Sequence, residues 1–233
     1  MDAPHRSPDE TRDHPAGRAA LPPGQRRRRD FPRFAHLGAR PPAVPAAPEL
    51  AVTGAVTEEL RIPLAELDQL VPRVERVADF HCVAGWSATG LRWSGVRFRD
   101  FWEQVVLPRG GAGDAVAIVA RGGDGVSADL DLRDALADDV LLADRLDGAP
   151  LGADHGAPLR LVSPGQYGFK NVKHLAGIEI RRTLPDPGKG NHLRARVALE
   201  ERHPRIDGRL LRLPYRMLIP LIARLSRTGG TGS

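Results

Sequence analysis

The sequence predicts an α+β domain that is rich in strand and mixed in topology. Three observations carry this expectation. Apolar stretches are short, many alternate with polar residues, and they end at glycine, proline or Asp-Gly turns. Helical periodicity appears only in brief runs. The two kinds of segment do not alternate regularly, so a doubly wound parallel sheet is not expected.

Taken in order, residues 50–56 and 60–64 read as a hairpin around Thr57-Glu58. Residues 65–71 read as a short amphipathic helix stopped by Pro72. Residues 74–80 alternate and read as a strand. Residues 81–95, with three glycines and two tryptophans, read as an ordered loop, and residues 96–106 as a helix. Residues 115–120 and 126–130 form a second hairpin through Gly122-Gly123-Asp124-Gly125. A helical turn is expected at 132–136, and a strand at 140–146 closed by Asp147-Gly148. A strand at 159–162, a helical turn at 170–175 and a strand at 178–181 complete the domain.

Charge divides the 233-residue chain into three. Residues 1–48 hold nine Arg against five acidic residues, together with ten of the 21 prolines. Residues 1–30 are expected to be a disordered basic arm. Residues 49–180 hold thirteen basic and twenty acidic residues, and residues 181–233 twelve and four. The domain is expected at 31–183 and a basic C-terminal extension at 184–233. In that extension Arg209, Arg212, Arg216, Arg224 and Arg227 share one arc of a helix, with Leu211, Met217, Leu218, Leu221 and Ile222 mostly away from it. Such a segment suits a membrane surface or a protein partner, or packs on its own domain. Pro214 and Pro220 should kink it.

Aromatic content of 5% argues against a stacking platform for single-stranded nucleic acid. A single cysteine excludes intrachain disulfides, iron–sulfur clusters and c-type haem attachment. Arg26 to Arg29 are followed by Asp30-Phe31-Pro32-Arg33 and not by an apolar segment, so no export signal is read. A cytoplasmic protein is expected, with surface association to a membrane open through residues 209–227.

Two stretches carry chemistry. The first is Asp79-Phe80-His81-Cys82-Val83-Ala84-Gly85-Trp86-Ser87. A thiolate is a soft ligand for a redox metal; a buried cysteine is equally a small apolar filler. A Cys/His nucleophile is poorly supported, because successive strand side chains face opposite ways. The second stretch runs from Asp154 to Lys173. It places His155, Arg160, Lys170 and Lys173 within 19 positions of an otherwise acidic region. On a helical turn Lys170 and Lys173 would be neighbours. Gly165 and Gly168 would let backbone approach a ligand. The cluster suits a phosphate, or is an ordinary turn with surface lysines.

Together the two stretches resemble the sulfite oxidase-type molybdopterin oxidoreductase domain, over about residues 31–182. The resemblance rests on the order of the motifs and on the spacing of Cys82, His155, Arg160 and Lys173. It implies the strand-rich α+β fold of that family and a molybdenum–molybdopterin cofactor, one molybdenum per chain. It implies Cys82 as the metal ligand and catalytic thiolate. His155, Arg160, Asn171, Val172 and Lys173 would hold the cofactor, the last three partly through backbone. Arg33, beside Pro32, stands where a further cofactor contact belongs. Sulfite-oxidising members follow the cysteine with Ala-Gly-Asn-Arg-Arg. Here Val83-Ala84-Gly85-Trp86-Ser87 follows, similar to the branch of the bacterial methionine-sulfoxide reductase catalytic subunit. The resemblance therefore implies oxygen-atom transfer on a small S-oxide or N-oxide, with electrons exchanged with a separate redox protein. Arg92, Arg97 and Arg99 are further candidates for the pocket. The competing expectation is a non-catalytic scaffold that keeps the fold and works through its basic arms.

Overall fold

Alternating strands and turn glycines resolve into two β-sheets. The computed structural model describes residues 21–22, 25–32, 41–82 and 85–184. Arg33 and the whole of residues 185–233, including the amphipathic arginine segment, lie outside the described residues.

The strands are β1 (Arg26–Arg28), β2 (Glu49–Gly54), β3 (Leu60–Pro63), β4 (Arg73–Cys82), β5 (Trp86–Arg97), β6 (Ala117–Gly122), β7 (Ser127–Asp131), β8 (Leu141–Leu146), β9 (Ala149–Pro150), β10 (Arg160–Val162) and β11 (Leu175–Arg181). The helices are all short: α1 (Leu67–Leu70), α2 (Phe98–Phe101), α3 (Leu107–Gly110) and α4 (Leu132–Ala135). One sheet has the order β3-β2-β11-β6-β7. The other has six strands, with β5 pairing β1, β4 and β8, and β8 pairing β9 and β10.

Strand alternation gives the six-stranded sheet two different faces. Val96, Leu142 and Leu161 point into the main core, with Leu50, Val52, Phe98, Phe101 and Ile118. Leu91, Trp93, Leu141, Ala143 and Val162 point the other way, into a second cluster with Phe80, Cys82, Trp86 and Ala88. Each fully buried large apolar side chain contributes about 1.5–3 kcal/mol. The main core holds the fold together, and the smaller cluster shapes the site.

Four expectations are corrected. Residues 81–95 are mostly strand and not loop. Between the pairs Ala78–Leu91 and Phe80–Ala88, Asp79 stands opposite both Thr89 and Gly90. Gly90 takes up the bulge at φ 70°, and its N–H donates to Asp79 Oδ1 at 2.8 Å. The bulge shifts inward-facing side chains from even to odd positions, from Trp86 and Ala88 to Leu91 and Trp93. That shift hides the alternation.

The helix expected at 96–106 starts at Phe98 and continues through a π-helical turn, Trp102–Val106, into α3. Pro108 has no N–H to donate back to Gln104, and the turn widens there.

The helical turn expected at 170–175 is a 3-10 turn at Gly168–Lys170. Lys170 and Lys173 therefore do not share a face.

The basic arm expected at 1–30 contributes a strand: Arg26, Arg27 and Arg28 pair in parallel with Trp86, Ser87 and Ala88.

Gly168 holds the 163–171 loop against the site. A Cβ there would lie 2.1 Å from Phe80 Cζ. Gly168→Ala is expected to destabilise the domain by about 1–3 kcal/mol through overpacking. Calorimetry should show a fall in Tm of roughly 3–10 °C; an unchanged Tm would refute the contact.

Candidate cofactor site

Arg160 is the centre of the site. On β10 the alternation that sends Leu161 into the main core sends Arg160 to the opposite face. Its side chain is buried with no carboxylate partner among the described residues; the residue is 1% exposed. Nη1 donates to His155 O at 2.9 Å and Nη2 to Asn171 O at 3.3 Å. Nε has no hydrogen-bond partner. Three rings surround the guanidinium carbon, with centroids at 4.9 Å (Trp93), 5.7 Å (Phe80) and 6.0 Å (Phe31). Trp93 Nε1 is a second buried donor without a partner.

Burial pushes the Arg160 guanidinium well below the ordinary arginine range, to about 9. Below that pH the group is charged in both the folded and unfolded chain, and the folded state carries the desolvation cost. An anion opposite Arg160 would offset that cost.

The other expected residues are distributed around Arg160. His155 ends a 3-10 turn, Ala153–His155, and its ring stacks on Phe31 at 4.7 Å. Gly156 follows at φ 104°, and a Cβ there would lie 2.9 Å from Lys173 Cβ. This close passage brings the His155 turn and the Lys173 strand-entry segment together. Lys173 Nζ donates to Asp154 O at 2.9 Å. The Asn171 side chain closes its own loop, accepting from Ser163 N at 2.6 Å and donating to Ser163 O and Tyr167 O. Only its carbonyl reaches Arg160. The Val172 side chain lies in the main core, and its carbonyl accepts from Leu161 N at 2.9 Å. Any contact of Val172 with a ligand is therefore through backbone.

Cys82 ends β4, buried in the same aromatic cluster as Phe80, Trp86 and Trp93. It stands opposite Trp86, and His81 stands opposite Ser87. The two side chains project from opposite faces, which removes a Cys/His dyad. His81 Nδ1 lies 2.7 Å from Ser87 Oγ, and burial lowers the His81 pKa. The described residues contain no group of three or more His, Cys, Asp or Glu placed to hold a metal ion.

Several candidates have other duties. Lys170 is buried and bonds the Asp129 carbonyl and carboxylate. Gly168 packs on Phe80, and Gly165 has open space around it. Arg97 faces Asp100 at 4.0 Å, Arg99 bonds Leu136 O and Asp138, and Arg92 is exposed. A separate cleft of about 260 Å³ is lined by Leu64, Asp68, Arg73, Val96, Asp144 and Pro158. There Arg73 already bridges Asp68 and Asp144, at 2.7 Å to each.

The aromatic cage was not legible from spacing. Gln25 was missed altogether, because its partner Cys82 is 57 residues away.

A buried thiol and a caged cation with spare donors thus meet at one aromatic cluster, a setting suited to an anionic ligand. The chain belongs to the oxidoreductase molybdopterin binding domain family, whose model matches residues 38–187. It is 35% identical over 133 residues to the uncharacterized oxidoreductase YuiH of Bacillus subtilis, covering 57% of this chain and 65% of that one. It is 31% identical over 146 residues to the protein-methionine-sulfoxide reductase catalytic subunit MsrP of Xanthomonas campestris, covering 58% and 45%. The chain thus spans about half to two thirds of the curated relatives it matches. The sulfane dehydrogenase SoxCD of Paracoccus pantotrophus shares the fold, with a TM-score of 0.53 at 21% identity over 64% of this chain and 44% of that one.

The residues present fit a pterin with its phosphate. Arg160 and Trp93 offer unused donors, and Arg160 has no counterion among the described residues. A charge held out of water without a counterion carries a desolvation cost that an apolar side chain of similar volume does not. In cofactor-free protein, Arg160→Met is therefore expected to leave the urea midpoint unchanged or raised. A fall of several kcal/mol would mean that the guanidinium is a structural strut.

Proposed function

We propose that this chain is a molybdenum-cofactor oxidoreductase that binds one molybdopterin, with one molybdenum, and transfers an oxygen atom to or from a small S-oxide- or N-oxide-type substrate. The observation that carries the proposal is the caged Arg160 without a carboxylate, on the sheet face that also holds Cys82. A scaffold that never binds an anion leaves that buried charge unexplained.

The cofactor, when bound, supplies a two-electron oxygen-atom-transfer centre. The chain's residues do the rest. The Cys82 thiolate is the protein ligand, a soft donor suited to a high-valent metal already held by sulfur. Arg160 and Lys173 neutralise the phosphate, with the guanidinium held flat by carbonyls of His155 and Asn171. The Phe31, Phe80 and Trp93 rings exclude water from the cation, which strengthens its pull on an anion. Asn171 acts one step back, by closing the loop that presents its own carbonyl and the Lys173 segment.

The substrate reading rests on the sequence after the cysteine. No arginine pair follows Cys82 to bind a dianion such as sulfite, and Trp86-Ser87 stand there instead. A relative named as a protein-methionine-sulfoxide reductase is in keeping with an S-oxide. Electrons are proposed to come from a separate redox protein. Residues 209–227, with their arginine stripe, remain a candidate docking segment for that partner or for a membrane.

Metal analysis of protein from a molybdenum-replete host should find about one molybdenum per chain. The Arg160→Met variant should retain at least about tenfold less, because the phosphate loses its buried cation. With a reduced viologen as donor the wild type should reduce S-oxides, and with ferricyanide as electron acceptor it should leave sulfite unoxidised. Sulfite oxidation would overturn the substrate reading, and a folded wild type without molybdenum would overturn the cofactor reading.

A further inference from the structure

We infer that Gln25 is a positioning residue for Cys82, clamping the turn that carries the metal ligand from a strand outside the family-matched region. The inference rests on the molybdopterin reading above. Gln25 is buried and immediately precedes β1. Its Nε2 donates to Cys82 O at 3.1 Å. The Gly85 N–H donates to the same carbonyl at 2.9 Å, and Arg26 N donates to Gly85 O at 2.9 Å. Three hydrogen bonds thus pin both ends of the Cys82–Gly85 turn, two of them from residues 25 and 26. Gly85 sits at φ 90°, which suits glycine.

The directions of these bonds are forced. A backbone carbonyl only accepts, so the Gln25 amide must present its NH₂ to Cys82. Its oxygen then faces Ser87 Oγ at 3.0 Å and takes the single hydroxyl proton. Ser87 has no proton left, so His81 must donate to it from Nδ1. One buried chain of three side chains therefore links Cys82 O to the His81 tautomer. Each member has one allowed role, and exchanging donor for acceptor anywhere breaks the chain. The family model begins at residue 38, so this clamp belongs to a segment that precedes it.

Groups that hold a metal ligand in place from one step back typically change metal affinity or activity by roughly 10- to 100-fold when removed. The test uses the full chain from two hosts, one making molybdopterin and one not, with Gln25→Met and Gln25→Ala. Methionine fills nearly the same volume without donor or acceptor, and so separates packing from hydrogen bonding.

In cofactor-free protein, Cys82 should react with a thiol reagent about five- to tenfold faster in both variants, the equilibrium equivalent of one lost buried hydrogen bond. In molybdenum-loaded protein, the thiolate-to-metal charge-transfer absorption should shift in both. If Gln25→Met matches wild type in thiol reactivity and absorption, the clamp is refuted and Gln25 is only a packing residue. A lowered Tm with both readouts unchanged refutes it equally. Wild type without molybdenum sinks the cofactor reading alone, since thiol reactivity still judges the clamp. If Gln25→Ala does not fold, Gln25→Met decides the question.

Discussion

A single buried guanidinium sets the terms for this structure. Arg160 lies buried on β10, the last strand in the order of its sheet, with no acid beside it among the described residues, ringed by Trp93, Phe80 and Phe31. Removing such a charge from water is expensive, and cation–π contact recovers only about 0.5–2 kcal/mol. The surrounding construction follows from that cost. Two carbonyls are turned toward the guanidinium, from His155 and Asn171. The Asn171 side chain is spent on holding its own loop. Gly156 and Gly168 are glycines because backbone must pass close to Lys173 and to the Phe80 ring. The remaining imbalance, a spare Nε and a spare indole N–H, is what an anionic cofactor would satisfy.

The six-stranded sheet serves two masters. Its Val96, Leu142 and Leu161 side chains anchor the domain to the second sheet, while Trp93, Ala143 and Val162 build the site. A site on the free face of an anchored sheet is rigid without being buried in the main core. That arrangement lets Cys82 and Arg160, 78 positions apart in the sequence, share one apolar cluster. Within the acidic balance of residues 49–180, Arg160 and Lys173 form a local concentration of positive charge.

Much of this was readable from the chain alone, for definite reasons. Hairpins at 50–64 and 115–131 announce themselves by alternation and turn chemistry, and both pair as expected. The motif spacing from His155 through Arg160 to Lys173 carried the family, because a phosphate grip constrains residues close in sequence. The failures have equally definite causes. The Asp79–Gly90 bulge breaks the parity of β5, so a strand read as a loop. Lys170 looked like a phosphate ligand because charge carries no address; its ammonium goes to Asp129. Gln25, Phe31 and the three arginines of β1 fell in a proline-rich stretch that composition marks as arm. Their contacts with the domain lie 49 or more positions away, where no local pattern can show them.

The account stands or falls on Cys82 as the one protein ligand to molybdenum, on the face that Arg160 makes fit for the pterin phosphate. X-ray absorption at the molybdenum edge tests this most directly. A dithiolate from the pterin plus one thiolate predicts about three sulfur scatterers in the wild type and about two in Cys82→Ala. An unchanged sulfur count in the variant would contradict the account, leaving Cys82 as a packing residue and moving the metal elsewhere.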